Sequence, residues 1–273
     1  MSLTLDRRAL GVAAALATVY VVWGSTYLGI ALAIETLPPL LMAATRFLVA
    51  GALLYLVARR FDAADAVRPD RRQWLAAAVT GTFLLAVGNG GVTWAQQTVP
   101  SGVAALVIAS IPLWIAVLGR LLFGERLSRL ATAGVVVGFV GVALLVNPAG
   151  GGDVDPVGGL LLVLAAVGWS VGTLLSRGTR LTVSPLVGAG MQMLAGGAVL
   201  LVAGVAAVEV ADVRLAEASA RSVGALLYLV LFGSVLAFSA YVWLLRNAAT
   251  SLVATYAYVN PVVAVFLGWL VLG

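Results

Sequence analysis

Arg46-Phe47-Leu48-Val49-Ala50-Gly51-Ala52 and, 146 residues later, Gln192-Met193-Leu194-Ala195-Gly196-Gly197-Ala198 follow one pattern: a polar head, then large apolar residues, then small ones. Trp23 and Trp169 stand at the same offset of 146. Further along the offset becomes 149, pairing Trp94 with Trp243, Pro112 with Pro261, Gly119 with Gly268 and Gly124 with Gly273. One such pair is chance in an apolar, Gly-rich chain. Several rare residues at two nearly equal offsets indicate an internal duplication, and a duplication decides the architecture.

The solvent is decided by composition. Of 273 residues, 62% are apolar and 10% charged. That is far too little charge to clothe a soluble domain of this size, so a bilayer is expected. A spanning helix needs ~20 apolar residues. Apolar runs between polar or Gly/Pro breaks predict spans at 9–34, 38–58, 73–94, 101–123, 129–146, 158–177, 184–208, 222–245 and 251–272. The chain has no Cys and no His. Disulfides, thiolate nucleophiles, histidine metal sites and imidazole relays are therefore excluded, and an enzyme is not expected. No cofactor or metal is implied. The net charge of +5 comes with no Lys at all, and its Arg residues read as topology signals rather than a nucleic-acid surface.

With the N-terminus placed in the cytoplasm, Arg7, Arg8, Arg59, Arg60, Arg68, Arg71, Arg72, Arg120, Arg126, Arg129, Arg177, Arg180 and Arg246 fall inside, and only Arg214 and Arg221 outside. This bias supports a multi-pass plasma-membrane protein in that orientation. Glu35, Asp153, Asp155, Glu209, Asp212 and Glu217 fall in the outer loops. The loop Gly150–Asp155 lacks the acidic ligands of a calcium site and reads as an outer turn. The first unit, 9–147, holds five spans. Five is odd, so the second unit, 158–273, enters from the opposite side and the repeats are inverted, an arrangement recurrent among transporters with a midplane site. The second unit shows four spans, since Gly273 corresponds to Gly124 and the counterpart of 129–146 is not in the sequence. Nine of an intended ten spans are thus expected.

Trp23-Gly24-Ser25-Thr26-Tyr27, Pro38-Pro39, Arg46-Phe47, Pro112 followed by Leu122-Phe123-Gly124-Glu125-Arg126, and Tyr258-Val259-Asn260-Pro261-Val262-Val263-Ala264 together resemble the EamA family of the drug/metabolite transporter superfamily. The resemblance spans the chain. It implies an all-α permease of two inverted five-helix repeats, an exporter of amino acids or related small metabolites working by alternating access. Its partners would be the lipid bilayer and a small organic solute. A multidrug or other metabolite permease, or a non-transporting degenerate fragment, are the alternatives. Small multidrug exporters of that superfamily carry a membrane-embedded Glu in their first helix; no Asp or Glu lies deep in a span here.

Arg46 is the one ionisable side chain well inside a span, at a cost of a few kcal/mol. It reads either as a contact to a substrate carboxylate or gate, or as a structural Arg bonded to neighbouring carbonyls; its repeat mate Gln192 is neutral. Gly81, Leu85, Gly88, Asn89, Val92 and Gln96 share a helix face, and Ser234, Phe238, Tyr241 and Leu245 form the corresponding stripe. Both stripes suit cavity lining or helix contact. Trp23 and Trp169 sit mid-span, away from the interfacial belts, as cavity walls or core. Tyr256, Tyr258 and Asn260 are similar candidates. Pro112 and Pro261 remove a backbone donor inside equivalent spans and are hinge candidates, or simply packed prolines. Gly134-x-x-x-Gly138 and Gly168-x-x-x-Gly172 permit close helix approach.

Overall fold

The computed structural model describes residues 2–61, 68–124, 128–146, 155–178, 184–248, 250–253 and 255–272. Glu125, Arg126, Arg180, Gly273 and residues 150–154 lie outside them. Every regular element among the described residues is a helix. In chain order the main ones are α1 (Ser2–Ala33), α2 (Pro39–Phe61), α3 (Arg71–Ala95), α4 (Ser101–Ile108), α5 (Ile111–Phe123), α6 (Arg129–Val146), α7 (Pro156–Gly178), α8 (Pro185–Ala206), α9 (Ala220–Leu244), α10 (Thr250–Val253) and α11 (Tyr256–Leu272). Among the described residues seven helices, α4 and α5 counting together, are long and apolar enough to cross a membrane, and α11 is a shorter apolar one.

Local chemistry explains the ends. α2, α7 and α8 each begin on a proline, whose fixed φ suits a first helical turn and whose missing N–H is no loss there. Asp70 and Gln73 cap α3 reciprocally, each side chain accepting from the other's backbone N–H. Gly124 ends α5 at φ 68°, a left-handed position that glycine takes without strain.

The long spans are not uniform rods. α3 contains an eight-residue π-helical segment, Thr82–Asn89, and α9 another, Leu229–Leu236. The two lie 147 residues apart. The predicted span 101–123 is broken at Ala109–Ser110, directly before Pro112. Pro261 instead lies within the continuous α11, and the break in that span falls earlier, ahead of Tyr256.

Packing couples the halves of the chain. α2 lies against α8, its repeat mate, in the most extensive contact of the bundle. α1 packs on α9 and α11, while α7 packs on α3, α4 and α5. The first helix of each half is thus seated against the third and fourth helices of the other. Small residues permit these approaches: a Cβ on Gly81 would lie 2.3 Å from the Gln192 carbonyl oxygen, and one on Gly190 would lie 2.8 Å from the Tyr55 backbone nitrogen. Gly168 and Gly172 likewise face Val87 and Leu84 of the α3 π-segment. Gly138 meets Leu113, whereas Gly134 has nothing near it. Outward, large apolar side chains such as Leu10, Leu56, Val137, Val202 and Trp269 are mostly exposed, as a lipid-facing surface requires.

Polar ties fix the seams. Ser222 Oγ donates to the Leu32 carbonyl at 2.8 Å, joining α9 to α1. Ser170 Oγ donates to the Ile111 carbonyl at 3.2 Å, joining α7 to α5. Glu209, just beyond α8, is buried. Its two carboxylate oxygens accept from the backbone N–H groups of Leu40 and Leu41 at 3.0 and 2.9 Å. An anion there answers both the open donors and the positive end of α2.

Candidate functional site

A central cavity lies where α1, α2, α3, α7, α8, α9 and α11 converge, reached also by Ile108 and Ile111 at the α4–α5 break. Its volume is ≈ 100 Å³. That is below the ~300–1,000 Å³ of a typical ligand pocket, so the space is narrow as it stands.

Among the described residues, Arg46 is the only Arg, Lys, Asp or Glu lining this space. It is 5% exposed. Its Nε donates to Ser234 Oγ at 2.9 Å, and its guanidinium lies 4.8 Å from the Phe47 ring centroid. Among the described residues no protein group bonds Nη1 or Nη2. A carboxylate accepts such a fork through two parallel bonds.

Trp23 lines the cavity and donates from Nε1 to the Gly233 carbonyl at 3.1 Å. Its ring meets Phe238, Tyr241 and Tyr256 at centroid separations of 6.1, 5.1 and 5.2 Å. Tyr241 also meets Phe238 and Tyr256 at 6.1 and 5.8 Å. These four rings form a plate on the side of the cavity nearer the N-terminus. Beneath it pack Leu16, Val19, Leu244 and Val253. There too the Tyr20 and Thr255 hydroxyls are hydrogen-bonded. The opposite side is closed by aliphatic residues, among them Ile30, Val92 and Val107.

Of the residues singled out in the sequence, Trp23, Arg46, Asn89, Trp169, Phe238, Tyr256 and Asn260 line the cavity, as do Leu85, Gly88, Val92 and Ser234 of the two stripes. Asn260 is buried, and its amide nitrogen donates to the Tyr256 and Tyr20 carbonyls at 3.2 Å each in the orientation that satisfies both. Tyr241 stands one layer below, in the aromatic plate. Gln192 does not reach the cavity: its Nε2 donates to Thr80 Oγ1 at 3.0 Å across the α8–α3 seam. Gln96 lies beyond the end of α3, buried at 8% exposure, its amide bonded to no described group. Pro112 faces a groove with Leu113, Gly134 and Gly138, on the far side of its helix from the cavity residue Ile111. Tyr258 lines that groove too and is largely exposed.

Thr26, Tyr27, Ile30, Phe47 and Met193 line the cavity without having been singled out. Four of them are apolar or aromatic residues in apolar helices and carry no signal of cost. Thr26 satisfies itself locally, donating to the Trp23 carbonyl at 2.6 Å. Among the described residues no cluster of His, Cys, Asp or Glu could hold a metal ion.

Comparison with known proteins is consistent across the chain. The profile of the EamA-like transporter family matches residues 9–147 and again 156–273. The uncharacterized inner membrane transporter YedA of Escherichia coli K12 is 41% identical over 265 residues, covering 96% of this chain and 83% of that protein. A protein of Salmonella typhimurium LT2 named as a probable amino-acid metabolite efflux pump is 30% identical over 170 residues, covering 58% of this chain and 51% of that one. A solved crystal structure superposes with a TM-score of 0.65 at 25% identity, covering 94% of this chain and 86% of the other.

Proposed function

The chain belongs to the EamA-like transporter family and is a membrane transporter rather than an enzyme; from this premise we propose that it exports amino acids or related small carboxylate metabolites by alternating access. The observation that carries the substrate class is Arg46. A lone cation inside a closely walled cavity, with no carboxylate among the lining residues, calls for an anionic group on the solute. Its Nη fork supplies the recognition, and Trp23, Trp169 and Phe238 supply flat walls for an apolar or aromatic body. Asn89 offers a second polar contact to the same solute. The efflux-pump name of the Salmonella relative supports outward movement of amino-acid metabolites.

Alternating access is supported by the two matched segments and by the way each half lends its first helix to the other. In this reading the halves, 9–147 and 158–273, are inverted repeats that rock about the cavity, and the breaks at Ala109–Ser110 and ahead of Tyr256 give the fourth helix of each its freedom. The inner-membrane naming of YedA and the Arg distribution support a plasma-membrane location with the N-terminus cytoplasmic.

The test is reconstitution of the protein in vesicles loaded with labelled amino acids, sugars and cationic drugs. Flux of carboxylate solutes that Arg46→Met abolishes supports the proposal. Flux of cationic drugs alone, or none at all, overturns it. Because the chain contains no Cys, thiols introduced at Asp65 and Gly178 report orientation cleanly, and labelling from outside overturns the assigned topology.

A further inference from the structure

We infer that the π-helical turn at Gly233–Ser234 couples the charge in the cavity to the aromatic plate beneath it, with Ser234 a positioning residue for Arg46 and the Gly233 carbonyl the anchor of Trp23. The inference rests on the reading of the cavity as a carboxylate site.

Two adjacent residues of one turn each receive a hydrogen bond from a different helix. Arg46 Nε of α2 donates to Ser234 Oγ, and Trp23 Nε1 of α1 donates to the Gly233 carbonyl. The turn lies inside the π-helical segment of α9, where the Ala237 backbone N–H reaches the Phe232 carbonyl five residues back. Such segments are rare, poorer in hydrogen-bond geometry than an α-helix, and concentrated at functional sites. Close approach from both sides depends on Gly233 being bare. A Cβ there would stand 3.0 Å from Thr26 Cγ2 and 3.3 Å from Arg46 Nη2.

Ser234 occupies Nε and thereby fixes the guanidinium plane, leaving the Nη edge as the binding fork. A carboxylate seated on that edge pulls Arg46 toward the cavity and loads the Ser234 contact. The load passes along one peptide to the Gly233 carbonyl, the acceptor of the Trp23 indole. Trp23 in turn holds Phe238, Tyr241 and Tyr256 together. Charge recognition and release of the plate therefore share one turn. At the repeat offset of 149 the corresponding positions in α3 are Leu84 and Leu85, which have no polar side chain to offer, so the device belongs to one half alone.

The experiment places a single thiol in the cavity, Ala165→Cys, in the otherwise Cys-free chain. Reaction with a membrane-impermeant thiol reagent is followed from the face carrying the N-terminus, with benzoate as the probe anion and benzamide as its neutral counterpart. Ser234→Ala should raise the labelling rate by roughly tenfold, the population change that loss of one hydrogen bond from a charged group brings, and Gly233→Ala should raise it too, because its added Cβ presses on Thr26 and Arg46. Ser234→Thr, which restores the hydroxyl, should return to the parent rate. Benzoate, but not benzamide, should accelerate labelling of the parent and leave Ser234→Ala unchanged. Parent-like labelling of Ser234→Ala, with benzoate still accelerating it, overturns the coupling. Carboxylate flux without any response in labelling leaves the transport reading standing and removes the coupling. The predicted labelling pattern without carboxylate flux does the reverse.

Discussion

Replacing Arg46 by Met separates a recognition role from a structural one, because the two predict different balances of stability and flux. An arginine at the centre of a spanning helix costs about 2.5–3.5 kcal/mol on insertion scales. Against this stand one hydrogen bond from a charged group to Ser234 Oγ, about 1.5–3 kcal/mol, and the Phe47 ring, about 0.5–2 kcal/mol when desolvated. The sums nearly cancel, so the charge is close to neutral for the fold. Met keeps the length of the stem and drops the guanidinium, and the freed Ser234 hydroxyl can turn back to a carbonyl of its own helix. Arg46→Met should therefore move stability by no more than about 1–2 kcal/mol, which at about 2–4 °C per kcal/mol is a Tm shift within about 8 °C. Carboxylate flux in vesicles should meanwhile fall by about tenfold or more, the scale of losing one charge-assisted contact. Scanning fluorimetry in detergent and vesicle counterflow give the two readings. The reasoning is refuted if the variant retains flux, or if it and Arg46→Lys both fail to yield folded protein.

Glu209→Ala strips the acceptor from the two buried N–H groups of Leu40 and Leu41 and should cost about 2–4 kcal/mol, read as a lowered Tm, with Glu209→Gln recovering part of it. Gly81→Ala drives a Cβ to 2.3 Å from the Gln192 carbonyl oxygen and should cost about 1–3 kcal/mol through forced separation of α3 and α8, measured by the yield and Tm of monodisperse protein. Trp23→Phe keeps a ring in the plate but loses the bond to Gly233. It should lower Tm only slightly while speeding thiol labelling of the cavity from the N-terminal face. Tyr241→Val, which installs the residue of its repeat mate Val92, removes three ring contacts and should shift the same labelling further than Trp23→Phe does.

Residues that break a rule were legible in the sequence, and residues that obey every rule were not. Arg46 stood out because a charge inside an apolar run demands a reason. Trp23 and Trp169 stood out because tryptophan is rare and the two recur at one offset. Asn89, Phe238, Tyr256 and Asn260 followed from the same cost and repeat arguments, and the structure brings all of these to one cavity. Gln96 and Gln192 carried an equal polar cost, yet the first is buried beyond the end of α3 and the second bonds Thr80 across a helix seam. Polarity in a span marks burial away from lipid; it does not distinguish a cavity from a packed interface. The π-segments were invisible because an extra residue per turn alters the backbone without altering composition. Glu209 was read only as outer-loop charge, since its role depends on the start of α2, some 170 residues away in the chain.

The two halves are alike in backbone and unlike where it matters for a solute. Both third helices carry an eight-residue π-segment, and both first helices place a Trp at the cavity. Yet Arg46 answers Gln192, Asn89 answers Phe238, Val92 answers Tyr241 and Val107 answers Tyr256 at the repeat offsets. The four-ring cluster thus lies on the N-terminal side of the cavity, while the other side is mostly aliphatic, with Tyr27 packed against it. Ring pairs contribute about 0.5–1.5 kcal/mol each beyond the area they bury. The five pairs among Trp23, Phe238, Tyr241 and Tyr256 therefore favour closure on that side by a few kcal/mol even when heavily discounted for shared rings. A bundle that rocks between two closures of unequal strength has a preferred resting state, and a ligand moves it only by binding the other state better. Divergence of side chains on a duplicated backbone is what supplies that inequality. Under the proposed alternating access, it would place the Arg46 charge, through the Gly233–Ser234 turn, in contact with the stronger of the two closures.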